Sequence, residues 1–298
     1  MTRSNTAKSG FLFVVIASVL FGTTGTAQQL AGIEVSGLFI GAARQVVGGI
    51  ALVILVLALG EKQIWKLFRT KNGILAAAGT LIYQITFFIG ITNNGVSVGT
   101  VIALGSAPVF TALLSRFVLK EVIQRYQVIL FLVVGFGVWL LLIGFDSQLE
   151  FSFGLLASLA AGVGYAIYTV NAKALVSAGV DSTTALAVAF GGGVPIAFIL
   201  LAVGDWQWLL EVSGLSVALY LGIFPTALAY FFFGKGLRVL SAATVATITL
   251  IEPVVATLFA VVLLGEKLAI QEVAGIAVVL TGLLVLGQLE HRRTRRVN

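Results

Sequence analysis

Stretches of about twenty or more residues without a single charge recur along the chain, and they constrain most strongly what it can fold into. Residues 9–33, 126–145, 151–172, 182–204 and 212–234 contain no Asp, Glu, Lys or Arg. Residues 72–115 are also charge-free but too long for one crossing. The turn-forming Asn93-Asn94-Gly95 divides this region into about 72–92 and 96–117. Two further apolar stretches, about 36–60 and 241–264, each hold one internal charge, Arg44 and Glu252, and the last runs about 270–289. A helix crosses a bilayer with about 20 predominantly apolar residues. The sequence therefore predicts an all-α integral membrane protein of ten transmembrane helices joined by mostly short loops.

Composition excludes the competing classes. Of 298 residues, 59% are hydrophobic and 10% charged, against about 25% charged in an ordinary soluble domain. A soluble globular protein, a disordered chain and a nucleic-acid-binding module are all excluded, and the net charge of +6 is not a nucleic-acid signal. There is no Cys, and the one His, His291, lies in a basic tail. Disulfides, thiol nucleophiles, His- or Cys-based metal sites and a catalytic triad are excluded by inventory. No cofactor, metal or enzymatic activity is expected. The expected partners are a small-molecule substrate and membrane lipid.

The first apolar stretch imitates a cleavable signal, with Arg3 and Lys8 ahead of an apolar run from Phe11 and small residues at Gly25-Thr26-Ala27. Its apolar run reaches Ile33, long enough to span, so retention as a membrane helix is expected. Lys and Arg set the orientation. With the N-terminus inside, the inner segments (the N-terminus, 61–71, 116–125, 173–181, 235–240 and 290–298) hold 16 of the 18 basic residues. The outer segments hold only Lys267, whereas Glu34, Asp146, Glu150, Asp205, Glu211, Glu266 and Glu272 fall outside. The expected location is a cell inner (plasma) membrane, with both termini cytoplasmic.

The chain also repeats itself. Pro108-Val109, Leu113, Leu119 and Glu121 recur 145 residues later as Pro253-Val254, Leu258, Leu264 and Glu266. Gly137 and Gly282 keep that offset, and Leu12, Ala17 and Val19 match Leu156, Ala161 and Val163 at an offset of 144. Two repeats are expected, over 1–148 and 149–298. With five helices each, the second must be inverted in the membrane. Inverted repeats can exchange conformations and so expose a central site to either side in turn.

Ten spans arranged five plus five, with Pro-Val and a trailing Leu-x-Glu in each half, resemble the drug/metabolite transporter superfamily and, within it, the EamA-type exporters. Leu250-Ile251-Glu252-Pro253-Val254 through Leu264-Gly265-Glu266 is similar to that family's second-half pattern, and Arg44 is typical of it. The resemblance is nearest to bacterial inner-membrane amino-acid exporters, including the aromatic amino-acid branch. It implies export of small organic metabolites, most of all aromatic or hydrophobic amino acids, by alternating access at a central cavity. A passive uniporter or channel for small metabolites or drugs is the alternative. The halves are not equivalent in charge: Ala107 stands at the mirror of Glu252 and Ala189 at the mirror of Arg44.

Candidate site residues follow from depth and polarity. Ionisable residues inside a membrane are costly and usually functional, which singles out Arg44 and Glu252. They serve either as a structural ion pair or as a gate or proton-coupling carboxylate. An adjacent arginine keeps a carboxylate ionised and unfit to carry a proton, which favours the pair. Tyr83, Gln84, Phe87, Thr100, Tyr165, Tyr168 and Thr247 are expected to line a mostly apolar cavity with a few hydrogen-bonding groups, suited to a zwitterion with a large apolar side chain. Tyr230 and Asn171 lie at similar depth. All four prolines, 108, 195, 225 and 253, fall within spans; the mirrored Pro108 and Pro253 are expected to kink their helices. Gly191-Gly192-Gly193 marks a candidate flexible point. Gly37-x-x-x-Gly41 and Gly95-x-x-x-Gly99 are expected to pack helices within a monomer.

Overall fold

The computed structural model describes residues 3–94, 96–142, 152–265 and 267–296. Gly95, Asp146, Ser147, Glu150 and Glu266 lie outside the described residues. Among the described residues, ten spans have the length and apolarity to cross a membrane: α1 (Lys8–Ala31), α2 (Gly37–Ala58), α3 (Lys71–Ile91), α4 (Val98–Val118), α5 (Arg125–Leu142), α6 (Phe153–Ser177), α7 (Ser182–Val203), α8 (Val212–Val239), α9 (Ala242–Leu263) and α10 (Ile270–Glu290). Each matches an expected apolar stretch. An even number of crossings returns both termini to one face, where Gly287 near the end of α10 packs against Phe11 of α1.

The helices pair by the logic of the repeat. α3 and α4 both pack on α6, and α8 and α9 both pack on α1, while α2 mates with α7 and α5 with α10. Exchanging α1–α5 for α6–α10 reproduces this set, as an inverted duplication requires. The symmetry reaches single contacts. A Cβ on Gly137 would lie 2.9 Å from the Val279 side chain, and one on Gly282 would lie 2.6 Å from the Val134 side chain. These are the same contact written twice at the 145-residue offset.

Lipid tails are as apolar as core side chains, so close packing and small residues hold such helices together. At the α3–α6 crossing, a Cβ on Gly79 would sit 2.5 Å from the Tyr168 backbone nitrogen, and one on Gly164 would sit 2.6 Å from that of Tyr83. Gly37 and Gly41 both receive the Phe88 ring, so this pair packs within the chain as expected.

Among the described residues, three spans are not continuous α-helices. α7 is split into Ser182–Gly191 and Val194–Val203. Glycines weaken the helix there, and Pro195 removes an N–H and suits the start of a new helix. The carbonyls next to the break are taken up: Thr80 Oγ1 donates to Ala189 O (2.9 Å) and Gln45 Nε2 to Phe190 O (2.7 Å). α8 widens into a π-helical turn at Ile223–Leu228 around Pro225. α9 is divided into Ala242–Ile248 and Ile251–Leu264, so Pro253 sits in the first turn of a second half-helix. The mirrored Pro108 behaves differently, because helix Val96–Val118 runs through it without interruption.

Candidate functional site

A central cavity of about 230 Å³ lies in the half of the bundle away from the termini, lined by α1, α2, α3, α4 and α9 and by Leu142 at the end of α5. Of the residues expected to line a site, Arg44, Tyr83, Gln84, Phe87, Thr100, Glu252 and Pro253 do so. Phe21, Thr24, Gln28, Phe88, Ile91, Leu104 and Leu142 complete the wall.

The discontinuity of α9 explains how a carboxylate is tolerated at this depth. Glu252 lies in the first turn of the half-helix Ile251–Leu264, at the positive end of its dipole. Half-helix N-termini facing a cavity are a recurrent device of transporters. Polar groups of neighbouring residues satisfy the carbonyls around the break: Thr249 Oγ1 donates to Ala246 O (2.8 Å) and Thr247 Oγ1 to Ala243 O (2.9 Å).

Arg44 is held from the other side. Its Nε donates to Thr226 Oγ1 (2.8 Å) and its Nη2 to the Pro225 carbonyl (3.2 Å). Thr226 in turn donates to Leu221 O (2.8 Å) across the wide turn of α8. That turn presents the acceptors, and π-helical turns are frequent at functional sites. Among the described residues Arg44 and Glu252 form no ion pair. The guanidinium is satisfied by α8, and the two charges line one cavity.

Tyr165, Tyr168 and Thr247 do not line the cavity. They are buried behind it, and their hydroxyls find partners there. The Tyr165 hydroxyl bonds to Thr249 Oγ1 (3.0 Å), the Tyr168 hydroxyl to that of Tyr230 (3.3 Å), and the Thr247 hydroxyl to its own helix. Their rings still matter. Tyr83 stacks on Phe87 with centroids 5.6 Å apart and meets the edges of Tyr165 (6.0 Å) and Tyr168 (6.1 Å). Tyr168, Phe190, Tyr230 and Phe233 continue the cluster toward the termini face, and Phe21 joins it through Tyr230 at 5.0 Å. The cavity thus stands on a floor of interlocked rings. Asn171 points back to Ile167 O (2.8 Å) on its own helix.

Two polar clusters close the termini face below this floor. Lys173 Nζ donates to Leu237 O (2.6 Å) and Leu240 O (2.8 Å), tying α6 to the end of α8. Glu290 Oε1 of α10 accepts from Gln127 Nε2 (2.8 Å) and Tyr126 Oη (3.2 Å) of α5 and from Thr244 Oγ1 (3.1 Å) of α9. Nothing in the sequence pattern marks this cluster, because Glu290 and Gln127 sit at span ends where polar residues are ordinary. Thr226 and Thr24 were missed for a related reason: a threonine in a membrane helix usually bonds its own backbone. Thr24 is an exception: it lies along the cavity, and among the described residues its buried hydroxyl has no hydrogen-bond partner.

Comparison with known proteins places this arrangement. The pattern of the EamA-like transporter family matches residues 8–143 and again 152–288. An uncharacterized transporter of Bacillus subtilis, YwfM, is 36% identical over 279 residues, covering 92% of each chain. An uncharacterized inner membrane transporter of Salmonella typhimurium, YicL, is 23% identical over 299 residues, covering 97% of this chain and 98% of that one. A solved crystal structure has a TM-score of 0.79 at 20% identity, covering 96% of this chain and 98% of its own, which shows a shared fold. The ten spans, the duplicated family pattern and these relatives together identify the chain as a multi-pass membrane transporter of the EamA-like transporter family.

Proposed function

We propose that the protein exports α-amino acids with aromatic or large apolar side chains by alternating access. The observation that carries this reading is that Arg44 and Glu252, one from each repeat, line one cavity without pairing. A zwitterion meets both: its carboxylate takes donors of the Arg44 fork, which suits carboxylate geometry, and its ammonium faces Glu252. Tyr83, Phe87, Phe88 and Leu104 offer the side chain an apolar wall. Pockets for drug-sized ligands span about 300–1,000 Å³; a cavity of 230 Å³ favours a single small metabolite.

The distribution of Lys and Arg supports cytoplasmic termini. In that orientation the ring floor and the Glu290 and Lys173 clusters form the inner gate, drawn shut. Transport then requires these contacts to open while the other half of the bundle closes, a rocking of the repeats for which the breaks in α7 and α9 provide joints.

The test is uptake of a labelled amino-acid panel into proteoliposomes. Saturable uptake of phenylalanine, leucine or tyrosine, abolished in Arg44→Gln, supports the reading. Indifference of every amino acid to both Arg44→Gln and Glu252→Gln overturns it. Accumulation against a gradient separates a coupled carrier from a passive uniporter.

A further inference from the structure

A separate concavity of about 620 Å³ lies on the flank of the bundle between α2, α3 and α7. Its wall is apolar, with Ile54, Ile74, Ala78 and Leu81 along its length and Trp65 and Phe68 at one end. Its floor is the interruption of α7 at Gly191, Gly192 and Pro195. A Cβ on Gly191 would lie 2.5 Å from the Val53 side chain, and one on Gly192 would lie 2.6 Å from that of Ala77. The broken helix reaches the floor of the groove only because those side chains are missing.

The end that carries Trp65 lies at the termini face, on the connection between α2 and α3. The short helix Ile64–Leu67 there is anchored by Ile64, which is fully buried, while Trp65 is 59% exposed. Lys62, Lys66, Arg69 and Lys71 on the same connection are all exposed, against a single acid, Glu61. Three independent features thus meet: an apolar trough of acyl-chain character, a tryptophan at the interface where such rings sit, and a group of cations immediately beyond the helix ends. Clusters of this kind next to a membrane helix attract anionic headgroups, and long basic side chains reach the headgroup layer easily.

We propose that this groove is a binding site for one anionic phospholipid. An acyl chain lies in the trough against the joint of α7, and the phosphate sits among Lys62, Lys66, Arg69 and Lys71. The chain fills space beside the point where the two half-helices of α7 meet, so occupancy braces a joint of the transport cycle from the lipid side. The site is distinct from the central cavity and stands independently of the substrate assigned there.

Native mass spectrometry of the purified full-length protein tests this, with phosphatidylglycerol and phosphatidylcholine of identical acyl chains as probes. Phosphatidylglycerol is expected to be retained over phosphatidylcholine by about tenfold or more, given the contribution of each cation near an anionic lipid. K66Q/R69Q should remove most of that preference. R116Q/R125Q, which deletes the same charge elsewhere on the termini face, should leave it intact. Ala78→Leu, which fills the trough, should lower retention of both lipids. Equal retention of the two lipids by the wild type, or a preference that survives K66Q/R69Q, overturns the proposal. So does a rise in melting temperature with inorganic phosphate as large as that with phosphatidylglycerol, since that describes an anion site without a chain. If Ala78→Leu fails to fold, fluorescence of the wild type decides. Phosphatidylglycerol brominated on its chains should quench tryptophan emission more than the brominated phosphatidylcholine, and Trp65→Phe should abolish the excess. No excess quenching overturns the site.

Discussion

Arg44 and Glu252 face one cavity from opposite halves of the chain and do not close on each other. The guanidinium is spanned by Thr226 Oγ1 and the Pro225 carbonyl on α8, and the carboxylate rides the first turn of a half-helix. The guanidinium thus has its own hydrogen bonds on α8, and the carboxylate sits at the positive end of a helix dipole. This differs from a buried ion pair, in which removing one partner strands the other at a cost of about 3–5 kcal/mol.

Glu252→Gln is therefore expected to fold with a melting temperature close to wild type, and the Arg44→Gln/Glu252→Gln cycle to show a stability coupling of less than about 1 kcal/mol, far below that of a broken buried pair. A coupling near the buried-pair value, measured by thermal unfolding in detergent, would restore the ion pair.

Binding should separate the two charges. Hydrogen bonds to charged groups contribute about 1.5–3 kcal/mol, so Glu252→Gln should weaken phenylalanine by roughly 10–150-fold while leaving 3-phenylpropionate, which lacks the ammonium, nearly unchanged. Arg44→Gln should show the reverse insensitivity with phenethylamine. Titration calorimetry on the two analogues checks the assignment of each end.

Tyr83→Ala and Phe87→Ala should weaken phenylalanine more than alanine, by roughly 2–13-fold, which corresponds to the about 0.5–1.5 kcal/mol of an aromatic pair beyond its area. Tyr165→Phe should act differently. It removes the bond to Thr249 without touching the wall, so it should change the exchange rate while side-chain selectivity stays constant. Identical losses for phenylalanine and alanine in Tyr83→Ala would assign that ring to packing.

Glu290→Gln keeps the shape of the termini-face cluster and removes the charge that three donors converge on. Weakening charge-assisted bonds of about 1.5–3 kcal/mol should shift the protein toward the state open at the termini face. A single cysteine introduced at Thr24 in this Cys-free chain should then react more slowly from the opposite side by about tenfold, on the same energy scale. An unchanged rate would show that the cluster does not hold the gate.

Cysteines at Ser213, Gln63 and Ser177, all exposed positions, test the orientation. Ser213→Cys should label from outside intact cells, and Gln63→Cys and Ser177→Cys only after permeabilisation. Labelling of position 63 from outside would invert the topology.

The ten spans, their duplication and the family are legible in the amino-acid pattern alone. Each of these is written in local composition: a charge-free stretch of bilayer length has no other stable fate in lipid, and Pro108 with Pro253, or Gly137 with Gly282, keep their spacing whatever the packing. It also picked out Arg44 and Glu252, because charge at depth is rare enough to be informative. How those residues are used depends on the packing of distant helices. Whether Arg44 meets Glu252 or Thr226 depends on the wide turn that Pro225 introduces in α8, and no pattern in α2 or α9 encodes that turn. Tyr83 lines the cavity while Tyr165 and Tyr168 lie behind it, although all three are mid-span tyrosines. The difference arises because the glycine crossing of α3 on α6 draws those helices together until the rings of α6 lock beneath the rings of α3. Mirrored prolines likewise diverge, one inside a continuous helix and one opening a half-helix. A repeated sequence fixes the register of two halves, but the identity of the neighbour at each position sets the hydrogen bonds, and those neighbours lie 43 residues away along the chain for Gln84 and Gly41 and 182 for Arg44 and Thr226.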